Sequence, residues 1–353
     1  MLIADQISKS FPTFKLADIS FRVNQGDYFV LLGPSGSGKS ILLKVLVGLV
    51  SPDKGRVFLD GKNITHEPVG QRQLGILFQD LAIFPHMNVF DNIAYPLKVK
   101  GLESKSVKKR VHELAERFSI SNIIKRDTRN LSGGELQRVA MARTLALNPR
   151  VLLLDEPLSA LDTSLHLEIS ALLRELNRNG TTMIHVTHSF DEAITLANRV
   201  GVIRNGSLVQ VGETLKVFQN PNNDFVAHFT GARNFFKVEQ TSDSQHGLVI
   251  GNITNNHKIA FFANSNYKSG YILFSEAAVV LAHTISEQSA LNIFKGKVVD
   301  VFAQPYGYEV VLDCGFRIHA HITWESKEKL NIEPGVELFA SIKASAIRFI
   351  PGA

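Results

Sequence analysis

Gly33-Pro34-Ser35-Gly36-Ser37-Gly38-Lys39-Ser40 satisfies the pattern G-x-x-x-x-G-K-[ST] in full. Three glycines let a backbone turn tightly and aim successive N–H groups into one concavity, and a helix opening behind them adds the positive end of its dipole. Such a concavity takes polyphosphate oxygens. In that arrangement Lys39 reaches the β- and γ-phosphates as a point charge, and the Ser40 hydroxyl ligates Mg2+ beside them. A second group stands at Val151-Leu152-Leu153-Leu154-Asp155-Glu156, an apolar run ending in two adjacent carboxylates. Two charges at a buried strand end are costly unless a cation or polar ligand meets them. Asp155 fits the carboxylate on the Mg2+ side, and Glu156 fits a base that polarises water for attack on the γ-phosphate, work worth roughly 10²- to 10⁴-fold in rate.

These groups need a scaffold that brings them together. The apolar run Tyr28–Leu32 enters the glycine loop and the helical run Ile41–Gly48 leaves it, the order a phosphate loop requires. Gly75–Phe78, Val151–Leu154 and Thr182–Thr187 are further short apolar runs separated by helical patterns, as in a parallel sheet covered on both faces. β-Branched runs at Leu2–Ile7, Ile19–Val23, Asp27–Leu32 and Gly55–Leu59 predict an antiparallel β layer beside it. From Val89 to Lys125 the pattern turns helical and charged, opening a helical insertion of about residues 89–145. The expected fold class is α/β, a P-loop nucleotide-binding domain over residues 1–230, followed by an all-β domain over 231–353. In that second domain Ala232-Arg233-Asn234-Phe235-Phe236-Lys237 returns as Ala290-Leu291-Asn292-Ile293-Phe294-Lys295, a weak repeat that predicts two related small barrels.

Composition narrows the class. The chain has 353 residues, 44% hydrophobic and 20% charged, which suits two folded domains and excludes disordered or collagenous chains. The most apolar run, Ile41–Val50, is interrupted by Lys44 and is too short to cross a bilayer, and the first residues lack a secretory pattern, so an intracellular location is expected. A lone Cys314 closes no intrachain disulfide. The net charge of +5 suits nucleotides, oxyanions, lipid headgroups or nucleic acid without choosing among them. The basic cluster Lys105–Arg110 reads as a solvated helix face.

Leu131-Ser132-Gly133-Gly134-Glu135-Leu136-Gln137, followed by the helical run Arg138–Ala146, resembles the signature loop of the ATP-binding cassette (ABC) ATPases. The resemblance covers about residues 1–230. It implies that two copies pair head to tail, with Ser132, Gly133 and Gly134 of each closing over the ATP and Mg2+ held by residues Gly33 to Ser40 of the other. Gln79 resembles the loop glutamine that senses Mg2+ and links to the transport partner, joining Ser40 and Asp155 at the metal. Ser159-Ala160-Leu161-Asp162 looks like the loop that crosses the dimer interface. His188 looks like the histidine that contacts the γ-phosphate, completing a catalytic set with Glu156, Lys39 and Gln79. Phe11 is the aromatic expected to stack on adenine, with Phe14 as its competitor. Glu135 and Leu136 depart from the commoner glutamine-rich signature, whereas Asp155, Glu156 and His188 are intact, so the resemblance implies an active ATPase.

In related import ATPases a segment such as Leu81–Asn92, with its Phe84-Pro85-His86, receives a coupling helix of an integral-membrane permease. The implied machine is an importer whose ATPase lies peripherally on the cytoplasmic face of the cell membrane, reaching an extracytoplasmic substrate-binding protein only indirectly. Ser289-Ala290-Leu291-Asn292-Ile293-Phe294-Lys295-Gly296-Lys297-Val298 and Ser341-Ile342-Lys343-Ala344-Ser345-Ala346 resemble the molybdate-binding barrel molbindin, an OB-like fold, over about residues 289–353. Ser hydroxyls, turn N–H groups and a Lys charge suit a desolvated tetrahedral dianion, which makes Ser289, Ala290, Lys343 and Ser345 the candidate oxyanion residues. Leu291 replaces the arginine usual there, which the first repeat keeps as Arg233. The expectation is an ATPase energising uptake of molybdate or tungstate. The same machine for sulfate, ferric iron or polyamine is the nearest alternative. A soluble nucleic-acid-acting ABC protein is disfavoured by the single cassette and by the lack of interleaved basic and aromatic residues, so no nucleic-acid partner is expected.

Overall fold

The computed structural model describes residues 1–351 except Ala160 and residues 242–246, 255–256, 264–267 and 286–287. The chain divides into two compact units, Met1–Val217 and Phe218–Ala353.

In the first unit, alternating sequence produces β1 (Leu2–Ser10) and β2 (Lys15–Val23). Leu2 and Ala4 point into the core, a register shift at Gln6, with φ of 52°, resets the phase, and Ile7 turns inward again. β3 (Tyr28–Leu32) is buried along its whole length. It is followed by α1 (Lys39–Val47), β4 (Lys54–Leu59), β5 (Lys62–Asn63) and β6 (Leu74–Leu77). The helical insertion comprises α2 (Val89–Val99), α3 (Ser104–Arg117) and α4 (Gly133–Leu145). Then come β7 (Val151–Asp155), α5 (Thr163–Arg178), β8 (Thr182–Thr187), α6 (Phe190–Leu196), β9 (Arg199–Arg204) and β10 (Ser207–Glu213). One sheet runs β2-β1-β4-β5, with antiparallel pairings. The other runs β10-β9-β3-β8-β7-β6 and is parallel except at β9–β10. Leu42, Leu43, Val45, Leu46 and Val47 of α1 join Leu2, Ile19 and Val57 of the first sheet and Leu31, Leu153 and Val186 of the second in one core. The apolar face of α1 therefore fixes the helix that opens at Lys39. α3 buries Val107, Val111 and Leu114 and leaves Lys105, Lys108 and Lys109 exposed, as its amphipathic pattern requires.

The division between units falls within α7 (Thr214–Gln219), ahead of the boundary expected at 230 from the fading of helical pattern. The reason is packing: Ala227, in α8 (Asp224–Phe229), is buried with Phe235 and Ile350 of the second unit. That unit contains β11 (Asn234–Gln240), β12 (Leu248–Asn252), β13 (Lys258–Phe262), β14 (Ser269–Phe274), β15 (Val280–Ala282), β16 (Asn292–Gln304), β17 (Gly307–Asp313), β18 (Arg317–Ile322), α9 (Trp324–Lys329), β19 (Glu337–Ile342) and β20 (Arg348–Pro351). Strands β11-β12-β13-β20-β14 close a barrel, and β15-β19-β16-β17-β18 form a five-stranded sheet.

The repeat is visible in this topology. Each half supplies four strands, a short 3₁₀ turn (Glu276–Ala278 or Ala344–Ala346) and a fifth strand, and the fifth strands are exchanged. β15 ends the first half but pairs with β19, whereas β20 ends the second half and pairs with β14 and β13. The repeated asparagines also cross over. Asn234 Oδ1 accepts from His319 N and its Nδ2 donates to His319 O, both at 2.8 Å. Asn292 Oδ1 accepts from Ala260 N at 2.6 Å and its Nδ2 donates to Ala260 O at 2.9 Å. Each side-chain amide thus stands in for a strand neighbour in the other half, Asn234 on the edge strand β18 and Asn292 on the barrel strand β13.

Candidate active site

β3 delivers Leu32 to the loop and α1 begins at Lys39, so the glycine loop spans the junction between a buried strand and a buried helix. Its tightness is enforced by neighbours. A Cβ on Gly33 would lie 2.4 Å from Ile203 O, and one on Gly38, whose φ is 101°, would lie 2.5 Å from Phe14 Cζ. Gly38 therefore has to be glycine both for its left-handed backbone and for the ring above it. Lys39 is 5% exposed and donates through Nζ to Gly33 O and Pro34 O, both at 2.9 Å. Burial pulls its pKa down, against the upward pull of Glu156 and Asp155. Ser35 and Gly36 are exposed at the mouth of the loop. Ser37 Oγ is buried without a hydrogen-bond partner.

At the end of β7, Asp155 Oδ1 accepts from Ser40 Oγ at 2.7 Å. Burial pushes the Asp155 carboxyl upward, the Ser40 bond opposes this, and the adjacent Glu156 charge adds to it. This is the electrostatic state that a divalent cation would relieve. Ser40 and Asp155 offer hard oxygen donors, which suits Mg2+. Glu156 sits at φ of 48°, its N–H bonded to Val186 O at 3.0 Å, and its Oε2 is 3.5 Å from Nδ1 of the half-exposed His188. β3, β7 and β8 are thus register-locked neighbours whose ends carry Lys39, Asp155–Glu156 and His188 to one edge. Phe14 packs onto the core at Gly38, whereas Phe11 stays 37% exposed, leaving Phe11 the freer of the two aromatic faces.

The signature residues open α4. Ser132 is its N-cap: Glu135 N donates to Ser132 Oγ at 3.3 Å, and Ser132 N donates to Glu135 Oε2 at 2.8 Å. Glu135, the departure noted in the sequence, thus completes a reciprocal capping box and pairs with Arg126 at 3.4 Å. Ser132 and Gly133 are exposed, and Gly134 lies against Leu165, where a Cβ would come within 2.8 Å. Asp162 caps α5 by accepting from Leu165 N at 3.0 Å. Its neighbour Ala160 lies outside the described residues. Gln79 is exposed just beyond β6. The segment after it is held by the fully buried Asn92, whose Oδ1 accepts from Phe84 N at 3.0 Å while its Nδ2 donates to Phe84 O at 3.1 Å.

In the second unit, a cavity of about 260 Å³ is lined by Ser289, Ala290 and Lys343 together with Gln288 and Ser341. The structure brings together three of the four candidate oxyanion residues, while Ser345, exposed on the following 3₁₀ turn, is not part of the lining. Among the described lining residues Lys343 supplies the one formal charge, and Gln288 Nε2 donates to Ser341 Oγ at 2.9 Å.

Several supporting groups had no sequence signal. Arg72, 2% exposed, donates to Val45 O, Leu46 O, Thr65 O and Glu67 O, tying down the C-terminal end of α1. His185, on β8 ahead of His188, is fully buried, with Nδ1 2.9 Å from Tyr28 Oη and Nε2 3.2 Å from Glu192 Oε2. Burial pushes the Glu192 pKa up, but His185 and Thr187 outweigh it and hold the carboxyl below its usual value. Arg72 reaches α1 and Tyr28 reaches His185 across long sequence separations, and Arg and Glu are residue types that commonly sit on surfaces.

Comparisons with known proteins agree with this geometry. The ABC transporter family matches residues 16–159 and the TOBE domain matches residues 288–349. The chain is 40% identical to the molybdate/tungstate import ATP-binding protein WtpC of Pyrococcus horikoshii, over 99% of this chain and 100% of that one. It is 45% identical to the spermidine/putrescine import ATP-binding protein PotA of Thermotoga maritima, over 69% of this chain and 67% of that one. A solved ATP-binding cassette of an ABC transporter in its ADP conformation superposes with a TM-score of 0.57 at 28% identity, covering 65% of this chain and 97% of that one. Among the described residues no helix is long and apolar enough to cross a membrane. With a phosphate loop, a carboxylate pair and a signature helix in place and a relative matched from end to end, the chain belongs to the import ATP-binding proteins of the ABC transporter family, and it is an ATPase.

Proposed function

We propose that this chain is the ATP-hydrolysing subunit of an importer of molybdate or tungstate, working as a head-to-tail pair beneath membrane permease subunits on the cytoplasmic side. The observation that carries the oxyanion assignment is the end-to-end similarity to the Pyrococcus molybdate/tungstate protein, which includes the C-terminal unit. The polyamine relative from Nitrosomonas europaea also spans nearly the whole chain, at 35% identity. The cavity at Ser289, Ala290 and Lys343 supports an anion over a polyamine, because Lys343 brings a positive charge to it and the described lining residues include no carboxylate.

In the catalytic reading, the loop from Gly33 to Gly38 cradles the phosphates with backbone N–H groups and Lys39 exchanges its loop carbonyls for phosphate oxygens. Ser40, Asp155 and Gln79 would hold Mg2+, which supplies charge neutralisation at the β- and γ-phosphates. Glu156 orients and deprotonates the attacking water, and His188, 3.5 Å away, touches the γ-phosphate. Phe11 stacks on adenine. Ser132 and Gly133, exposed on their own copy, and the half-buried Gly134 face the nucleotide of the second copy, and Asp162 lies on the loop that crosses between the two.

The C-terminal cavity is read as a regulatory oxyanion site, through which a replete cell slows import. The deciding experiment reconstitutes the chain with its permease in proteoliposomes and measures ATP turnover with binding protein loaded with molybdate, tungstate, sulfate or spermidine. Stimulation by molybdate or tungstate alone is expected, and stimulation by spermidine alone overturns the assignment. For the regulatory reading, millimolar molybdate on the chain's side should slow turnover in the parent and not in Lys343→Ala. Equal turnover in the parent with and without molybdate removes it.

A further inference from the structure

Immediately after Gln79, Leu81 and Ala82 stand in succession in the left-handed region, at φ of 56° and 46°. Neither is glycine, and each Cβ crowds the following carbonyl in that conformation, so the loop leaves it unless something else holds it. One side chain from the signature helix holds it, beside the local backbone bonds from Leu81 N to Phe78 O and from Ala82 N to Asp80 O. Arg143 of α4 donates through Nη2 to Leu81 O and through Nη1 to Ala82 O, both at 2.8 Å, and its guanidinium lies 4.9 Å from the centre of the Phe84 ring. The planar fork meets two consecutive carbonyls and one aromatic face at once, which a lysine cannot do. The same helix sends Gln137 Nε2 to Pro157 O, just beyond Glu156.

We infer that Arg143 is a positioning residue that latches the loop after Gln79 to the signature helix, so that a shift of α4 on nucleotide binding moves that loop with it. This rests on the reading of Gln79 as a residue of the nucleotide site. The test uses the full chain carrying Arg143→Met or Arg143→Lys, with amide hydrogen exchange of residues 79–86 and steady-state MgATP turnover measured on the same preparations.

Arg143→Met should speed exchange in residues 79–86 at least tenfold, leave β3 and β7 unchanged, and lower kcat tenfold or more with KM for ATP within threefold. Arg143→Lys should fall between it and the parent. A KM rise with kcat preserved would mark a general loss of structure and overturn the latch, as would unchanged exchange in a folded Arg143→Met. If the Met variant does not fold, the Lys variant decides by the same two readings. Faster exchange with unchanged kcat would leave the contact standing as a tether and refute its transmission through Gln79.

Discussion

Replacing Glu156 by Gln removes a proton acceptor and very little else. The amide keeps the side-chain length and the backbone bond to Val186 O, and the left-handed φ of 48° costs the same in both chains. A general base contributes roughly 10²- to 10⁴-fold, or about 2.7–5.5 kcal/mol of barrier. The substitution also removes a charge beside the triphosphate. Two like charges about 4 Å apart at an effective dielectric of about 20 repel by about 4 kcal/mol. Any part of that repulsion felt by bound ATP is relieved in the variant. Glu156→Gln should therefore lower turnover at least a hundredfold while binding ATP as tightly as the parent or more so. Steady-state phosphate release gives the first quantity and equilibrium binding of a fluorescent ATP analogue the second. Light scattering with ATP should show the paired form accumulating. Turnover within threefold of the parent would refute the assignment of the base, whatever the binding.

Asp155 carries a linked prediction about stability. A carboxyl whose pKa is raised on folding binds its proton more readily in the folded chain, so stability falls as pH climbs from about 4 to the raised value and stays lower above it. Asp155→Asn should then raise the melting temperature of the nucleotide-free chain at pH 7 by a margin that shrinks toward pH 4, while weakening Mg2+-dependent ATP binding; a margin independent of pH contradicts this. Arg72→Met leaves the carbonyls of Val45, Leu46, Thr65 and Glu67 without their shared donor and should cost about 2–4 kcal/mol in urea unfolding of the first unit, a loss below 1 kcal/mol being inconsistent with the capping role. Asn234→Ala and Asn292→Ala should each cost about 1–3 kcal/mol by leaving an N–H and a C=O of the opposite half unpaired. Similar losses for the two are expected from the repeat, and a loss at only one of them breaks the equivalence.

The phosphate loop and the carboxylate pair were legible because their chemistry is written in consecutive residues, and because a buried strand feeding a helix is a local pattern. That β3, β7 and β8 lie in a parallel sheet followed from short apolar runs between helices, and the helical insertion from a change of period, whereas the strand order did not. What could not be read locally was the set of partners. Ser40 meets Asp155, Arg143 meets Leu81 and Ala82, and Arg72 meets the far end of α1, each through a fold that no window of sequence contains. Glu135 is the instructive case. In the sequence it is a departure from the commoner glutamine-rich signature that leaves the phosphate-facing Ser132, Gly133 and Gly134 intact. In the fold its carboxylate closes a capping box on Ser132 N, doing for the helix what a neutral side chain does less well.

The second unit carries the same lesson further. The repeat was visible as a short likeness around Asn234 and Asn292, which suggested two related small barrels; the structure has one closed barrel and one five-stranded sheet. Exchange of the fifth strands changes what the repeat means. β15 completes the sheet of the second half, and β20 completes the barrel of the first, so neither half contains all the strands it needs. The asparagines then have a reason to be the residues held in common, because each pairs backbone groups that belong to the other half. Val249 and Phe261 from the first half and Val310, Leu312 and Ile342 from the second also lie in one hydrophobic cluster. Buried apolar surface shared in this way couples the two halves, and a duplication whose copies complete each other behaves as one cooperative body although its sequence reads as two.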